Sequence, residues 1–243
     1  RRALKAAGTM TRVIEERSES VSRLRLRLLS SAHADGGWGY HAEKDPRIES
    51  TAWALIALSA TSDSTSAEWP SLIAPHLRFL SGCQRSNGLL IETWNRPPNF
   101  ASNGVAACAL LHLAAGQTPM LPVLLRSIAS VKGIQVVNAP EVRQDNHLQA
   151  WPWLPDTFSW IEPTCWCVLA LKKSSAPMRP RTAEARLAEA EAVLVDRTCE
   201  AGGWNYGNAS ALGQDLRPYV PTTSLGLMAL QDRRTLPVVG RAL

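Results

Sequence analysis

Two glutamates that open apolar runs are the residues whose type and spacing could do chemistry. Glu49-Ser50-Thr51-Ala52-Trp53 leads into Ala54-Leu55-Ile56-Ala57-Leu58, and Glu162-Pro163-Thr164-Cys165-Trp166 leads into Cys167-Val168-Leu169-Ala170-Leu171. A carboxylate at a helix N-terminus is stabilised as the anion by the helix dipole. The same group, desolvated in an apolar cavity and hydrogen-bonded in its acid form, becomes a proton donor. Both roles are open to Glu49 and Glu162. Trp53 and Trp166 recur at one position in the two copies, so their faces suit either a cation or apolar ligand, or packing between repeats.

Other chemistry is thinner. The five cysteines, Cys83, Cys108, Cys165, Cys167 and Cys199, are odd in number and several lie in apolar runs, which suits buried, reduced thiols. His33, His41, His76, His112 and His147 are scattered, and His112, inside an apolar run, reads as a core residue. No zinc site with three protein ligands can be assembled, and there is no phosphate loop, nucleophile elbow or His-Glu-x-x-His helix. No cofactor or metal is expected.

The elements that must position these residues repeat. Each unit reads as an amphipathic helix, a turn rich in glycine or aromatics, a polar loop, and a more apolar second helix. The units pair Val13–Leu29 with a helix starting near Glu49, Ser71–Leu80 with Gly104–Leu113, Leu121–Val131 with Thr164–Lys172, and Ala183–Val195 with Thr223–Leu230. Gly36-Gly37-Trp38-Gly39-Tyr40 and Gly202-Gly203-Trp204-Asn205-Tyr206 are the clearest turns; Trp153 and Trp94 stand in the corresponding stretches of the other two units. Aligning the second helices on Thr51, Gly104, Thr164 and Thr223 gives spacings of 53, 60 and 59 residues. Leu236–Leu243 echoes the start of a further unit. Wholly apolar helices belong inside and amphipathic ones outside, so the pattern predicts a two-layered α/α array whose inner N-termini gather at one mouth.

Composition is compatible with this. The chain has 243 residues, 45% hydrophobic and 19% charged, enough for one globular domain with a substantial core. Nine tryptophans against three tyrosines and three phenylalanines indicate rigid apolar walls or wedges. The net charge of +5 comes with no nucleic-acid motif, so no nucleic-acid partner is expected. Arg23, Arg25 and Arg27 alternate with leucines; this reads as a solvated helix face, with peripheral membrane contact as the alternative. The absence of a visible secretory signal or spanning run, with reduced thiols, favours the cytoplasm. Arg1 stands where a starting Met would, and Leu236–Leu243 reads as a further unit cut short, so the single domain, 1–243, is read as a fragment incomplete at both ends, a short family member or one half of an assembly.

These residues resemble the repeat of squalene–hopene and related triterpene cyclases and of protein prenyltransferase β-subunits. The resemblance runs from Val13 to Leu230 and implies an all-α fold, an α/α toroid or open arc of about four to five hairpins. Class II cyclases carry Asp-x-Asp-Asp-Thr, whose central Asp protonates an isoprenoid. On that alignment Glu162 takes the place of the central Asp and Thr164 that of the Thr, while Trp160 and Pro163 replace the other two Asp residues. Glu49 and Thr51 match in the first unit; Arg47 and Ser50 do not. The prenyltransferase zinc site needs an Asp two residues before its Cys, and Pro163 and Cys165 stand there instead. The resemblance therefore implies an isoprenoid or similar apolar small molecule in the central space, with Glu162 and Glu49 as catalytic acids and Trp53, Trp166, Trp153, Tyr40 and Tyr206 as substrate-binding residues. The alternative is a non-enzymatic helical-repeat module that binds a protein or peptide on its concave face.

Overall fold

Helices apolar on every side alternate along the chain with helices carrying a single apolar stripe, and the fold follows from burying the first kind inside the second. The structure, a computed structural model, describes residues 18–41, 43–92, 96–113, 118–138 and 143–243. The outer helices are α1 (residues 18–30), α3 (Trp69–Cys83), α5 (Met120–Ser130), α7 (Ala183–Asp196) and α9 (Pro237–Ala242). The inner helices are α2 (Ile48–Thr61), α4 (Phe100–His112), α6 (Ile161–Lys173) and α8 (Val220–Ala229). Between α7 and α8 a small hairpin pairs β1 (Ser210–Ala211) with β2 (Gln214–Asp215), antiparallel. The fold is thus all-α, an array of helical hairpins with an apolar inner layer. Residues 13–17 of the expected first helix, and Trp94, lie outside the described residues.

Inner helices pack side by side in the order α2, α4, α6, α8, and outer helices α3, α5, α7 and α9 each pack on the inner helix that precedes them. The buried side chains form one core running from Trp38 to Val239. Helix α4 is buried from Phe100 to Leu110 and is made mostly of small residues. At Gly104 a Cβ would come within 2.7 Å of Trp166 Cβ, so the missing side chain is what lets α4 and α6 approach this closely.

One bonding pattern ties loop to inner helix in every complete unit, and in three of them ties the loop to the outer helix as well. The backbone N–H of Trp38 donates to Thr51 Oγ1 (3.0 Å), that of Trp151 to Thr164 Oγ1 (3.2 Å), and that of Trp204 to Thr223 Oγ1 (3.0 Å). The same three indoles donate their Nε1–H to carbonyls near the end of the preceding outer helix: Leu28 (2.8 Å), Ile128 (2.8 Å) and Leu194 (2.7 Å). All three are buried. In the second unit Leu90 and Asn103 take these places, with Leu90 N–H on Asn103 Oδ1 (2.8 Å) and Asn103 Nδ2 on Leu90 O (3.0 Å). The loop residue and its helix partner are 13 positions apart in the first three units and 19 in the fourth, where the β-hairpin is inserted.

This register corrects two sequence expectations. Asn103, not Gly104, is the equivalent of Thr51, because it supplies the side-chain oxygen that the loop amide needs. Trp151, not Trp153, is the equivalent of Trp38 and Trp204, because only its indole reaches the outer helix.

The following outer helix closes each junction. His76 of α3 stacks on Trp38 (centroids 3.9 Å apart) and its Nδ1 accepts from Gly37 N–H (2.9 Å). Burial lowers the His76 pKa to about 4, so the ring is neutral and able to accept. Arg186 of α7 lies over Trp151 (4.3 Å) and donates to the carbonyls of Gln149 and Ala150. At Gly36 (φ +100°) and Gly202 (φ +86°) the turn runs against the next outer helix, where a Cβ would lie 2.1 Å from a backbone oxygen of Pro75 or Arg241. Only glycine fits both the left-handed backbone and the gap.

Thr164→Val removes the acceptor for the buried Trp151 amide while keeping side-chain shape. It should cost about 1–3 kcal/mol, the penalty of an unsatisfied buried donor. The exposed Thr61→Val, which loses only a bond to the Ala57 carbonyl within its own helix, should stay within about 0.5 kcal/mol. Denaturant midpoints of the two variants at matched slope measure the difference.

Candidate functional site

With each inner helix fixed at its Thr or Asn, the residues two before, two after and five after that anchor lie roughly on one helical face. In α2 these are Glu49, Trp53 and Ile56; in α4, Ala101, Val105 and Cys108; in α6, Glu162, Trp166 and Leu169; in α8, Pro221, Leu225 and Met228. Apart from Ala101 and Val105, which are buried in the α4 packing, every one of them lines a single groove of about 530 Å³ faced by all four inner helices. His112 and Lys173, near the ends of α4 and α6, complete it. The groove is acidic where the helices begin, apolar along its length, and basic where they end.

Trp53 and Trp166 meet edge to face, centroids 5.1 Å apart. Their helices flank α4, whose small side chains leave room for the two indoles to meet. Trp53 is 45% exposed, for an inner-helix residue a large value, and Trp166 is 7% exposed. The glutamates sit one turn earlier on the same faces. Neither α2 nor α6 has a side-chain hydrogen bond from its N-cap residue. Glu49 Oε2 accepts from Tyr40 Oη (2.8 Å). Burial raises the pKa of Glu162, the charge of Glu49 raises it further, and a hydrogen bond from Trp166 acts in the opposite direction. Tyr40 is pushed up to about 12, by partial burial first and then by its bond to Glu49.

Tyr40, Trp153 and Tyr206, expected at the site, do not line this groove. Each stands two residues after its unit's loop residue, Trp38, Trp151 or Trp204, as Glu92 does after Leu90, and three of these four positions cap a neighbouring inner helix. The first amide of α2, on Ile48, donates to Glu92 Oε1 (2.8 Å); that of α4, on Phe100, to the Trp153 carbonyl (3.0 Å); that of α6, on Ile161, to the Tyr206 carbonyl (2.8 Å). Glu92 also pairs with Arg47 (3.0 Å). Sequence reading missed Glu92, because it caps a helix 44 residues away; its alignment with Tyr40, Trp153 and Tyr206 was the available signal. Trp153 is half-buried against the core, while Tyr206 is exposed beside Tyr219 (5.2 Å). His112, expected in the core, is exposed and faces the groove.

All five cysteines are free and buried. Burial pushes Cys83 up to about 11 and Cys108 to about 12, so neither is a thiolate near neutrality. Cys108 and Cys167 give their thiol protons to the carbonyls of Trp166 (3.7 Å) and Phe100 (3.6 Å) across the α4–α6 contact. Among the described residues no group of His, Cys, Asp and Glu is placed to hold a metal ion, and no helix is long and apolar enough to cross a membrane. Neither a comparison with protein-family models nor a search of curated proteins finds a match for the chain.

Glu49→Gln should move the Glu162 pKa down, toward the ordinary glutamate range, without reaching it, since burial remains. Carboxyl-carbon NMR titration reads this directly. The linked stability effect has a definite sign. A raised folded-state pKa gives stability that is present below the unfolded value and lost as pH rises through the folded one. Glu49→Gln should therefore make less of that loss, and an unchanged Glu162 titration would show the two carboxylates to be uncoupled.

Proposed function

We propose that this chain binds an isoprenoid or similar long apolar molecule in the groove, with the reacting or recognised end of that molecule at Glu49 and Glu162. The observation that carries the reading is the groove itself. It is built by all four inner helices from the same repeat positions, has Ile56, Leu169, Leu225 and Met228 along its length, and has an indole pair beside its two carboxylates. Its length suits an extended chain: Glu162 and Lys173 are eleven residues apart on α6, about 16 Å at 1.5 Å per residue. An interaction module would be expected to fill its centre with its own side chains and to offer a shallow polar rim. The volume and lining favour a small molecule instead.

The chemistry that this end supports is protonation of a carbon–carbon double bond, the reaction that the triterpene-cyclase resemblance implies. The proton would pass from the Glu162 carboxyl to the alkene carbon, leaving a carbocation facing two aromatic rings and two carboxylates. Loss of a proton from the product cation would restore the neutral carboxyl. A raised Glu162 pKa favours the donor form. A cytoplasmic, membrane-peripheral location belongs to the same proposal, since five free thiols suit a reducing compartment and apolar ligands partition from membranes.

Native mass spectrometry of the purified chain with farnesyl and geranylgeranyl lipids and squalene, followed by product analysis, tests this. The expected result is retained lipid, with any cyclised product lost in Glu162→Gln. Retention without turnover would make the protein a carrier. No retention at any concentration would overturn the groove reading and favour the interaction module.

A further inference from the structure

The acidic end of the groove has a geometry that says more about the ligand than its apolar length does. Glu49 and Trp53 are four residues apart on α2, and Glu162 and Trp166 are four apart on α6. Residues at that spacing lie one above the other on a helix face. Each helix therefore presents a carboxylate beside an indole, and the two indoles touch at 5.1 Å between centroids. All four side chains line the same groove.

When both glutamates are ionised their charges repel at this apolar wall, and a positive group between them removes that repulsion, as protonation of Glu162 does when no cation is bound. Among the described residues that line the groove, no Lys or Arg stands at the acidic end. Arg47 pairs with Glu92 at 3.0 Å, and Lys173 is at the opposite end of the groove. A substituted ammonium group fits this environment better than a metal ion does. It gains from carboxylates by charge and from indole faces through the ring quadrupole, and its alkyl substituents tolerate the apolar surroundings. A diphosphate or carboxylate head would meet two anions here.

We propose that the acidic end of the groove is a binding site for an organic cation, a substituted ammonium head held between the Glu49–Trp53 and Glu162–Trp166 pairs, with its apolar chain lying along Ile56, Leu169 and the rest of the groove. This rests on the reading of the groove as a site for an apolar chain, and it names the charge of the chain's head.

Three probes that share one chain separate the possibilities: dodecyltrimethylammonium, dodecanol and dodecanoate, each titrated calorimetrically into the intact protein below its aggregation threshold. The ammonium compound should bind at least about tenfold more tightly than the alcohol, equivalent to about 1.4 kcal/mol, and the carboxylate more weakly than either. In Glu49→Gln/Glu162→Gln the ratio of ammonium to alcohol affinity should fall close to one. Trp53→Leu, which keeps the groove apolar and both carboxylates in place, should lower the ratio part of the way. Alcohol binding with no preference for the cation, or a preference that survives the double substitution, overturns this proposal and leaves the apolar-chain reading standing. Failure of all three probes to bind overturns both.

Discussion

Each unit of this protein depends on a hydrogen-bonded latch that a helix cannot make from its own backbone. A buried loop amide needs an acceptor, and an inner helix supplies one from Thr51, Asn103, Thr164 or Thr223. An apolar helix has no polar face to fix its rotation about its own axis, and packing alone tolerates more than one. A single side-chain oxygen that must meet a particular amide removes that freedom. In three of the units the indole of the same loop residue then fastens the loop to the preceding outer helix. The cross-unit caps add the second constraint, seating the start of each of α2, α4 and α6 against the next unit's loop.

The groove is a consequence of this register. Once rotation is set, the positions two before, two after and five after the inner-helix Thr or Asn face inward whatever occupies them. Composition at those that line the groove is then free to vary, whereas Ala101 and Val105 are buried in the core. Two units place Glu and Trp at these positions, one places Ala and Val, and one places Pro and Leu. Gly104 on α4 is as necessary as the large pairs beside it, because a side chain there would run into Trp166. The tryptophans thus divide into two kinds: Trp38, Trp151 and Trp204 are buried donors that build the array, whereas Trp53 and Trp166 face the space it encloses.

Much of the architecture was legible in the sequence. The inner and outer helices fall where the alternation of apolar and amphipathic runs put them, because burial in two layers is the main driving force and leaves that pattern. The repeat of Glu-x-Thr-x-Trp also singled out the two carboxylates and two indoles that line one groove together. The second unit was misaligned by one residue because Asn103 performs the task of a threonine, and Leu90 that of a tryptophan, so no identity marks the equivalence. Trp153 drew attention as an aromatic, yet what it gives α4 is a backbone carbonyl, a role any residue type could fill. Glu92 was passed over for the opposite reason: its side chain matters, but its partner is in another unit, and only its alignment with Tyr40, Trp153 and Tyr206 marks it.

The division between latch and groove tryptophans is the claim on which the functional reading stands, and fluorine NMR of the 5-fluorotryptophan-labelled protein tests it most directly. Resonances are assigned by single Trp→Phe substitutions, and dodecyltrimethylammonium and a geranylgeranyl lipid are added in turn. Trp53 and Trp166 should shift with saturable dependence on ligand, while Trp38, Trp151 and Trp204 stay in place. Shifts confined to the latch tryptophans, or spread evenly over all five, would contradict the account.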